Sequence, residues 1–378
     1  MMKVAHILSY YPGQEGITSF CRGLGTAFKN LEGIEVPIIT FRYRPSNFQQ
    51  NEDGPVVLKY PHRIYHPFDI PQSFLDELDS GKLKLDGAVL HGAYSPQVFS
   101  LARALRHRGI PYIFMPHDPY VKELRNHHAF RKFIYWHLCE KWVIRRAAAV
   151  QLLSPAHEIP LREQGMKVPV FTVANGCDPS DLIHMAQDAR TPGREDTFRI
   201  QYLGRMDRNH KGLDLLIIGY AQFLDTIDKD EKIQLVLSGN DWEDRGSLED
   251  LAKSLGLGEK ILFTGRLPEH SITIHSRADF CVLTSRFDGF GLTLIEAMMT
   301  SRPVLVSREA GIADHVVKAN AGFVVDPNPD SIAKGLIDAW ESRSQLMQMG
   351  QAGHDYVTRE LTWQSIAEQS AAAYHEIF

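Results

Sequence analysis

The chain has 378 residues, a length that implies two domains rather than one. Hydrophobic residues make up 44% of it and charged residues 23%, the usage of an ordinary soluble globular protein, which excludes a disordered, collagen-like or membrane-spanning chain. The formal net charge of −5 argues against a nucleic-acid binder held by a global positive field.

The first apolar run, Val4–Leu8, is too short for a signal sequence and breaks into polar and Gly/Pro residues. The expected setting is therefore cytoplasmic, with any membrane contact peripheral, at the inner face of the cell membrane. Cys21, Cys139, Cys177 and Cys281 lie far apart without paired spacing, so neither a zinc knuckle nor a disulfide framework is indicated.

In the first half, strands are expected at Val4–Leu8, Val36–Thr40, Ala88–Leu90, Tyr112–Met115, Val150–Leu153 and Val170–Val173. The loop Pro12–Thr18, with Gly16, follows the first. Gly23-Leu-Gly25-Thr-Ala-Phe28 lacks a third glycine and does not directly follow a strand, a weak dinucleotide fingerprint. Phe114-Met-Pro-His-Asp-Pro-Tyr120 ends the fourth strand and carries His117. The stretch 122–146 is basic and interleaved with Phe130, Phe133, Tyr135, Trp136 and Trp142. It reads either as a helix on an anionic membrane surface or as a domain helix with buried aromatics and solvated charges.

Thr191-Pro-Gly-Arg-Glu-Asp196 has linker composition, which divides the chain into domains 1–190 and 197–361. Strands then follow at Ile200–Leu203, Ile233–Leu237, Ile261–Phe263, Phe280–Leu283, Val304–Val306 and Phe323–Val325. Buried strands alternating with helices make parallel sheets. The expected fold class is thus α/β, two Rossmann-like doubly wound domains facing across a deep cleft, with ligands at the carboxyl ends of the strands. Motifs of the P-loop, HExxH and GxSxG types are missing.

Two segments of the second half carry chemistry. Arg205 and Lys211 follow the strand ending at Leu203, two cations suited to a diphosphate, or a solvated basic loop. After Leu283 a Gly-rich turn runs into a helix, so the amides of Gly289, Phe290, Gly291, Leu292 and Thr293 open toward an anion. Asp288 and Glu296 beside them suit sugar hydroxyls; an acid that merely favours the helix dipole is the plainer alternative.

Together these segments resemble the family 4 retaining glycosyltransferases of the GT-B fold. Gly204-Arg205…Lys211-Gly212 is similar to that family's strand-end Gly-Arg…Lys-Gly, and Asp288 with Glu296 to its acid–x7–Glu element. Asn175-Gly-Cys-Asp178 resembles its interdomain Asn-Gly-x-Asp. Gly311-Ile-Ala-Asp314 and Ala321-Gly322 resemble its late Gly-rich loop. The resemblance spans most of the second domain and has scattered anchors in the first.

The resemblance implies that Arg205 and Lys211 bind the donor diphosphate and stabilise charge as it departs. Glu296 would hold the ribose hydroxyls, and Asp288 with the amides of Gly289–Thr293 the donor sugar and phosphate. Leu267 would bond the base through its backbone, Gly16 would bring an amide to a phosphate, and His117 would lie under the donor sugar. Asp118 reads as a nucleophile only for double displacement; the family implies same-face attack with the leaving phosphate as base. No metal and no cofactor beyond the nucleoside diphosphate sugar is implied. Two departures stand out: Asp288 where the family has Glu, and Glu15-Gly16 where it has paired glycines.

The function so implied is hexosyl transfer, with glucose from UDP-glucose the first choice, to a growing, lipid-linked cell-surface polysaccharide. The partners are the donor and a glycan or lipid-linked acceptor, with a peripheral membrane contact through 122–146 and no nucleic acid. A GT-B sugar-nucleotide epimerase and a non-catalytic sugar-nucleotide-binding subunit are the alternatives. The acid–x7–Glu element disfavours the first, and the intact Arg205, Lys211, His117 and Glu296 the second. Residues 362–378, with Trp363 and Ile366 on one helical face, are expected to cross back onto the first domain and help form the hinge of the cleft.

Overall fold

The computed structural model describes residues 1–9, 15–42, 54–61, 66–117, 120, 129–192, 196–241 and 244–378. It divides into two compact units, Met1–Gly176 together with Trp363–Phe378, and Cys177–Thr362.

In the first unit the strands are β1 (Met2–Leu8), β2 (Ile34–Glu35), β3 (Ile38–Thr40), β4 (Val57–Lys59), β5 (Gly87–His91), β6 (Tyr112–Met115), β7 (Ala149–Leu152) and β8 (Val170–Thr172). All pair in parallel in the order β4-β3-β1-β5-β6-β7-β8, with β2 also on β1. The expected strand Val36–Thr40 is shorter, and β2 precedes it. Met2 faces Ile34 and His6 faces Ile38, the same offset (34 − 2 = 38 − 6), so β2 and β3 are one strand interrupted at Val36-Pro37. Pro37 has no N–H to donate to the ladder. The central strands β5, β6 and β7 are buried throughout, as strands covered by helices on both faces must be.

The helix Trp363–Ile377 packs within this first unit. A Cβ on Gly23 would sit 2.1 Å from the Trp363 indole, and one on Gly87 2.5 Å from the Phe378 ring. Gly23, part of the weak dinucleotide fingerprint, is therefore a packing glycine that lets the last helix seat.

The linker expected at 191–196 is not the boundary; the units divide at Gly176 and Cys177, inside Asn175-Gly-Cys-Asp178. The residues after that motif are held by the second unit. Ala186 N–H donates to the Ser276 hydroxyl at 3.2 Å, Arg277 pairs with Asp188 at 2.9 Å, and Arg190 with the buried Asp279 at 2.8 Å. Composition alone does not distinguish a Pro/Gly turn within a domain from a domain boundary.

In the second unit the strands are β9 (Phe198–Leu203), β10 (Ile233–Ser238), β11 (Ile261–Gly265), β12 (Phe280–Leu283), β13 (Val304–Ser307) and β14 (Gly322–Val325). Each contains the run expected from the sequence. The all-parallel order is β11-β10-β9-β12-β13-β14, or 3-2-1-4-5-6 counted within the unit, the doubly wound arrangement whose order reverses between β9 and β12. Among the described residues no helix is long and apolar enough to cross a membrane.

Candidate functional site

The second unit sets its polar residues at the carboxyl ends of β9 and β12, either side of that reversal, where open α/β sheets take their ligands. After β9 the chain forms a short helix, Arg208–Lys211, capped by the Asp207 carboxylate, which accepts from the His210 amide at 2.9 Å. Gly212 ends it with φ 63°, and a Cβ there would lie 2.3 Å from the Thr284 carbonyl oxygen. Only glycine allows this approach, and it brings Lys211 against the end of β12. Arg286 clamps the same junction. Its guanidinium donates twice to Asp214, at 2.8 Å each, and its backbone N–H donates to the His210 carbonyl at 3.0 Å.

Lys211 Nζ donates to Asp288 Oδ2 at 2.5 Å, with the side chains 14% and 11% exposed. Asp288 Oδ2 also accepts from the Ser285 hydroxyl at 3.3 Å, and Oδ1 from the Phe290 N–H at 3.3 Å. Burial raises this carboxyl, but the charge and hydrogen bond of Lys211 outweigh it and hold Asp288 below its ordinary value. It is thus an ionised counter-ion, folded back onto its own turn. Arg205 is exposed and donates to His210 Nδ1 at 3.1 Å. Burial, helped by the charge of Lys211, drives His210 down to about 4, so the ring is neutral and able to accept.

The turn after Asp288 is pinned from outside. Asp288 N–H donates to the Glu309 carbonyl at 3.2 Å, Gly311 N–H to the Asp288 carbonyl at 3.2 Å, and Ile312 N–H to the Phe290 carbonyl at 2.8 Å. Gly291, at φ 99°, then opens the helix Leu292–Met299. The amides of Gly291, Leu292 and Thr293 thus head a helix with no preceding turn to supply acceptors, and the dipole favours an anion there. One turn on, Glu296 lies 4.0 Å from His275 Nε2, with a third of its side chain exposed. Burial pushes Glu296 up to about 7, opposed by the Ser271 hydroxyl and reinforced by Asp181. His275, held near 3 by burial, is neutral, and its Nε2 meets no hydrogen-bond partner. Leu267 stands half-buried two residues beyond β11.

In the first unit, Gly16 belongs to the helix Glu15–Phe28 rather than to a loop, and a Cβ there would meet nothing within 4 Å. His117 follows β6 with φ 65°, a conformation rare outside glycine and concentrated at ligand sites. Its Nε2 lies 2.7 Å from His91 Nδ1. Asp118, Pro12–Gln14 and 122–128 lie outside the described residues. The apolar side chains of 129–146 divide: Trp136 is buried, whereas Phe130, Phe133 and Leu138 are exposed.

The second unit therefore brings together Arg205, Lys211, Asp288 and the 289–296 segment, while Gly16 and His117 belong to the first. Sequence reasoning did not single out His6 or His91, although each stands in or just after an expected strand. Among the described residues two groups have ligand atoms within 4.8 Å, as a metal ion would need: buried His6, Cys21 and His91, and the more exposed Asp181, His184 and His270.

Residues 186–356 match the family model for glycosyl transferases group 1, and residues 15–176 that for a glycosyl transferase 4-like domain. An uncharacterised glycosyltransferase of Methanocaldococcus jannaschii is 25% identical over 99% of this chain and 98% of its own length. The mannosylfructose-phosphate synthase of Agrobacterium fabrum is 27% identical over 45% of this chain and 38% of its own. Among solved structures, Anabaena HepE in complex with UDP and glucose superposes with a TM-score of 0.73 at 17% identity, covering all of both chains.

Proposed function

Since the chain is a glycosyltransferase of the family 4 type with the GT-B fold, we propose that it transfers a hexose from a nucleoside diphosphate sugar with retention, without a metal. The observation that carries this reading is the pairing of two cations, Arg205 and Lys211, with an open helix terminus at the sheet's reversal point. In the reaction the bond from anomeric carbon to phosphate oxygen breaks, and a bond to the acceptor oxygen forms on the same face. The acceptor's proton passes to the departing phosphate. Negative charge grows on the diphosphate, and Arg205, Lys211 and the amides of Gly289, Gly291, Leu292 and Thr293 stabilise it, the Phe290 amide being committed to Asp288. Glu296 accepts from the ribose hydroxyls, Leu267 meets the base, and His117 and Gly16 serve the donor from the first unit.

Glucose from UDP-glucose is the first choice of donor, supported by the UDP and glucose bound to the Anabaena protein. Mannose is the competing hexose, suggested by the Agrobacterium relative. The acceptor we propose is a growing, lipid-linked cell-surface polysaccharide, reached at the inner face of the membrane. Phe130, Phe133 and Leu138 stand exposed on the same helical stretch, 129–146, as the exposed cations Arg131, Arg145 and Arg146, a composition suited to anionic lipid.

The test is a panel of nucleotide sugars, UDP-glucose and GDP-mannose included, with and without lipid-extracted acceptor. Acceptor-dependent release of UDP from UDP-glucose, with an α-linked product, is expected. A changed sugar released without acceptor would make the protein an epimerase, and binding without turnover would make it a non-catalytic subunit. Either result overturns the proposal.

A further inference from the structure

Three histidines lie in line across adjacent strands of the first unit. His6 is on β1, His91 ends β5, and His117 comes two residues after β6. These strands are consecutive in the sheet, and its order reverses between β1 and β5. Neighbouring strands lie about 4.8 Å apart, and the imidazole centroids are 5.0 Å apart in both pairs. One ring per strand therefore spans the sheet nitrogen to nitrogen. His117 Nε2 is 2.7 Å from His91 Nδ1, and His91 Nε2 is 3.0 Å from His6 Nδ1. Behind them, His6 Nε2 is 3.1 Å from the Tyr374 hydroxyl, which donates to Gln151 Oε1 at 3.2 Å. His6, His91, Gln151 and Tyr374 are all buried.

Counting protons gives the chain its direction. A neutral imidazole has one N–H and one bare nitrogen, and burial holds all three rings neutral. The Tyr374 hydroxyl gives its proton to Gln151, so its oxygen accepts from His6 Nε2–H. His6 Nδ1 then accepts from His91 Nε2–H, and His91 Nδ1 from His117 Nε2–H. His117 is left with Nδ1 bare, and no described residue bonds that nitrogen. The same ε-protonated form is the one neutral histidine prefers in water.

We propose that His91 and His6, backed by Tyr374 and Gln151, are positioning residues that lock His117 as its Nε2–H tautomer and present Nδ1 as an acceptor for a hydroxyl of the transferred sugar. The hydroxyl rests on the sugar-transfer reading; the tautomer does not. A fixed tautomer matters because the wrong one offers a donor where an acceptor is needed, as misassigned catalytic histidines show.

The experiment uses the full chain with isotope-labelled histidine and long-range proton–nitrogen spectra, which distinguish a protonated from a bare ring nitrogen. His117, assigned by the signals lost in His117→Gln, is expected to show protonated Nε2 and bare Nδ1. Tyr374→Phe deletes one oxygen, the acceptor for His6 Nε2–H. Both tautomers of His117 then appear, and kcat/KM falls about tenfold to a hundredfold, as loss of a ring-orienting partner does. His6→Asn gives the same pattern, and the wild-type spectrum decides alone if either variant fails to fold. A protonated Nδ1, the result if the Gln151 amide is turned over, overturns the proposal. So does a doubly protonated ring, a tautomer indifferent to Tyr374→Phe, or a metal-type spectrum with His6, His91 and the Cys21 thiolate as ligands. The correct tautomer with an Nδ1 signal that ignores both UDP-glucose and GDP-mannose supports the positioning and overturns the sugar reading alone.

Discussion

Lys211 has two separable roles, as the partner of a buried carboxylate and as a charge for the diphosphate. Lys211→Ala leaves Asp288, 11% exposed, with only the Ser285 hydroxyl and the Phe290 amide as donors. Removing one member of a buried ion pair costs about 3–5 kcal/mol. With two hydrogen bonds remaining, the expected loss in the second unit is at the lower end, about 3 kcal/mol. Lys211→Ala with Asp288→Asn removes the stranded charge, keeps Oδ1 for the Phe290 N–H while the amide NH2 can donate to the Ser285 hydroxyl, and should recover about 2 kcal/mol of that loss. Urea unfolding followed by Trp340, in the second unit, reads these differences.

The pH dependence follows from Asp288. Its folded value lies below the ordinary 3.8, so the pair's contribution is present above 3.8 and is lost as pH falls through the lowered folded value. In Lys211→Ala the two largest lowering causes, the charge and the hydrogen bond of Lys211, are gone and burial raises the carboxyl against His210 and the Phe290 N–H alone, so protonation relieves the variant first. The stability gap to wild type therefore narrows below about pH 4. A gap under about 0.5 kcal/mol at neutral pH, the range of ordinary surface changes, or one that persists unchanged into acid, refutes the buried-pair argument. Turnover separates the roles, because single and double variants should both lose roughly 100-fold. A double variant with wild-type turnover removes Lys211 from the site.

Three further outcomes are expected. Activity survives excess EDTA, because Arg205 and Lys211 supply the cationic charge; complete loss that added metal restores would refute that assignment. UDP binding tightens as pH rises through about 7, where Glu296 ionises, since a carboxylate accepts from ribose hydroxyls better than its acid does. Calorimetry should show the dependence flattened in Glu296→Gln, and an unchanged pH profile in that variant counts against the role. Gly23→Ala forces a methyl to within 2.1 Å of the Trp363 indole and should cost about 2 kcal/mol by overpacking, read as a lower urea midpoint for the first unit. An unchanged midpoint would mean that the last helix does not seat there.

What the sequence discloses depends on whether the partners in an interaction are neighbours along the chain. The six strands of the second unit are legible because each is an apolar run closed by polar or Gly/Pro residues. Arg205, Lys211, Asp288 and Glu296 are legible because each pair lies within a turn or two of chain. Pro37 splits a strand that hydropathy joins, and the half-exposed β4 rests on Val56-Val57-Leu58, an apolar run between Pro55 and Lys59 that sequence reasoning did not single out. Composition puts a linker at 191–196, whereas the units divide at Gly176 and Cys177, because Ser276, Asp279 and Arg277 hold the intervening chain to the second unit. His6, His91 and His117 are 85 and 26 residues apart, and only the strand order β1-β5-β6 turns three separate histidines into one hydrogen-bonded line. Gly23 makes the same point in reverse. A glycine near a first strand reads as room for a phosphate until an indole from the far end of the chain fills that room. A residue's type therefore states what it could do, and the neighbours that the fold delivers decide which of those things it does.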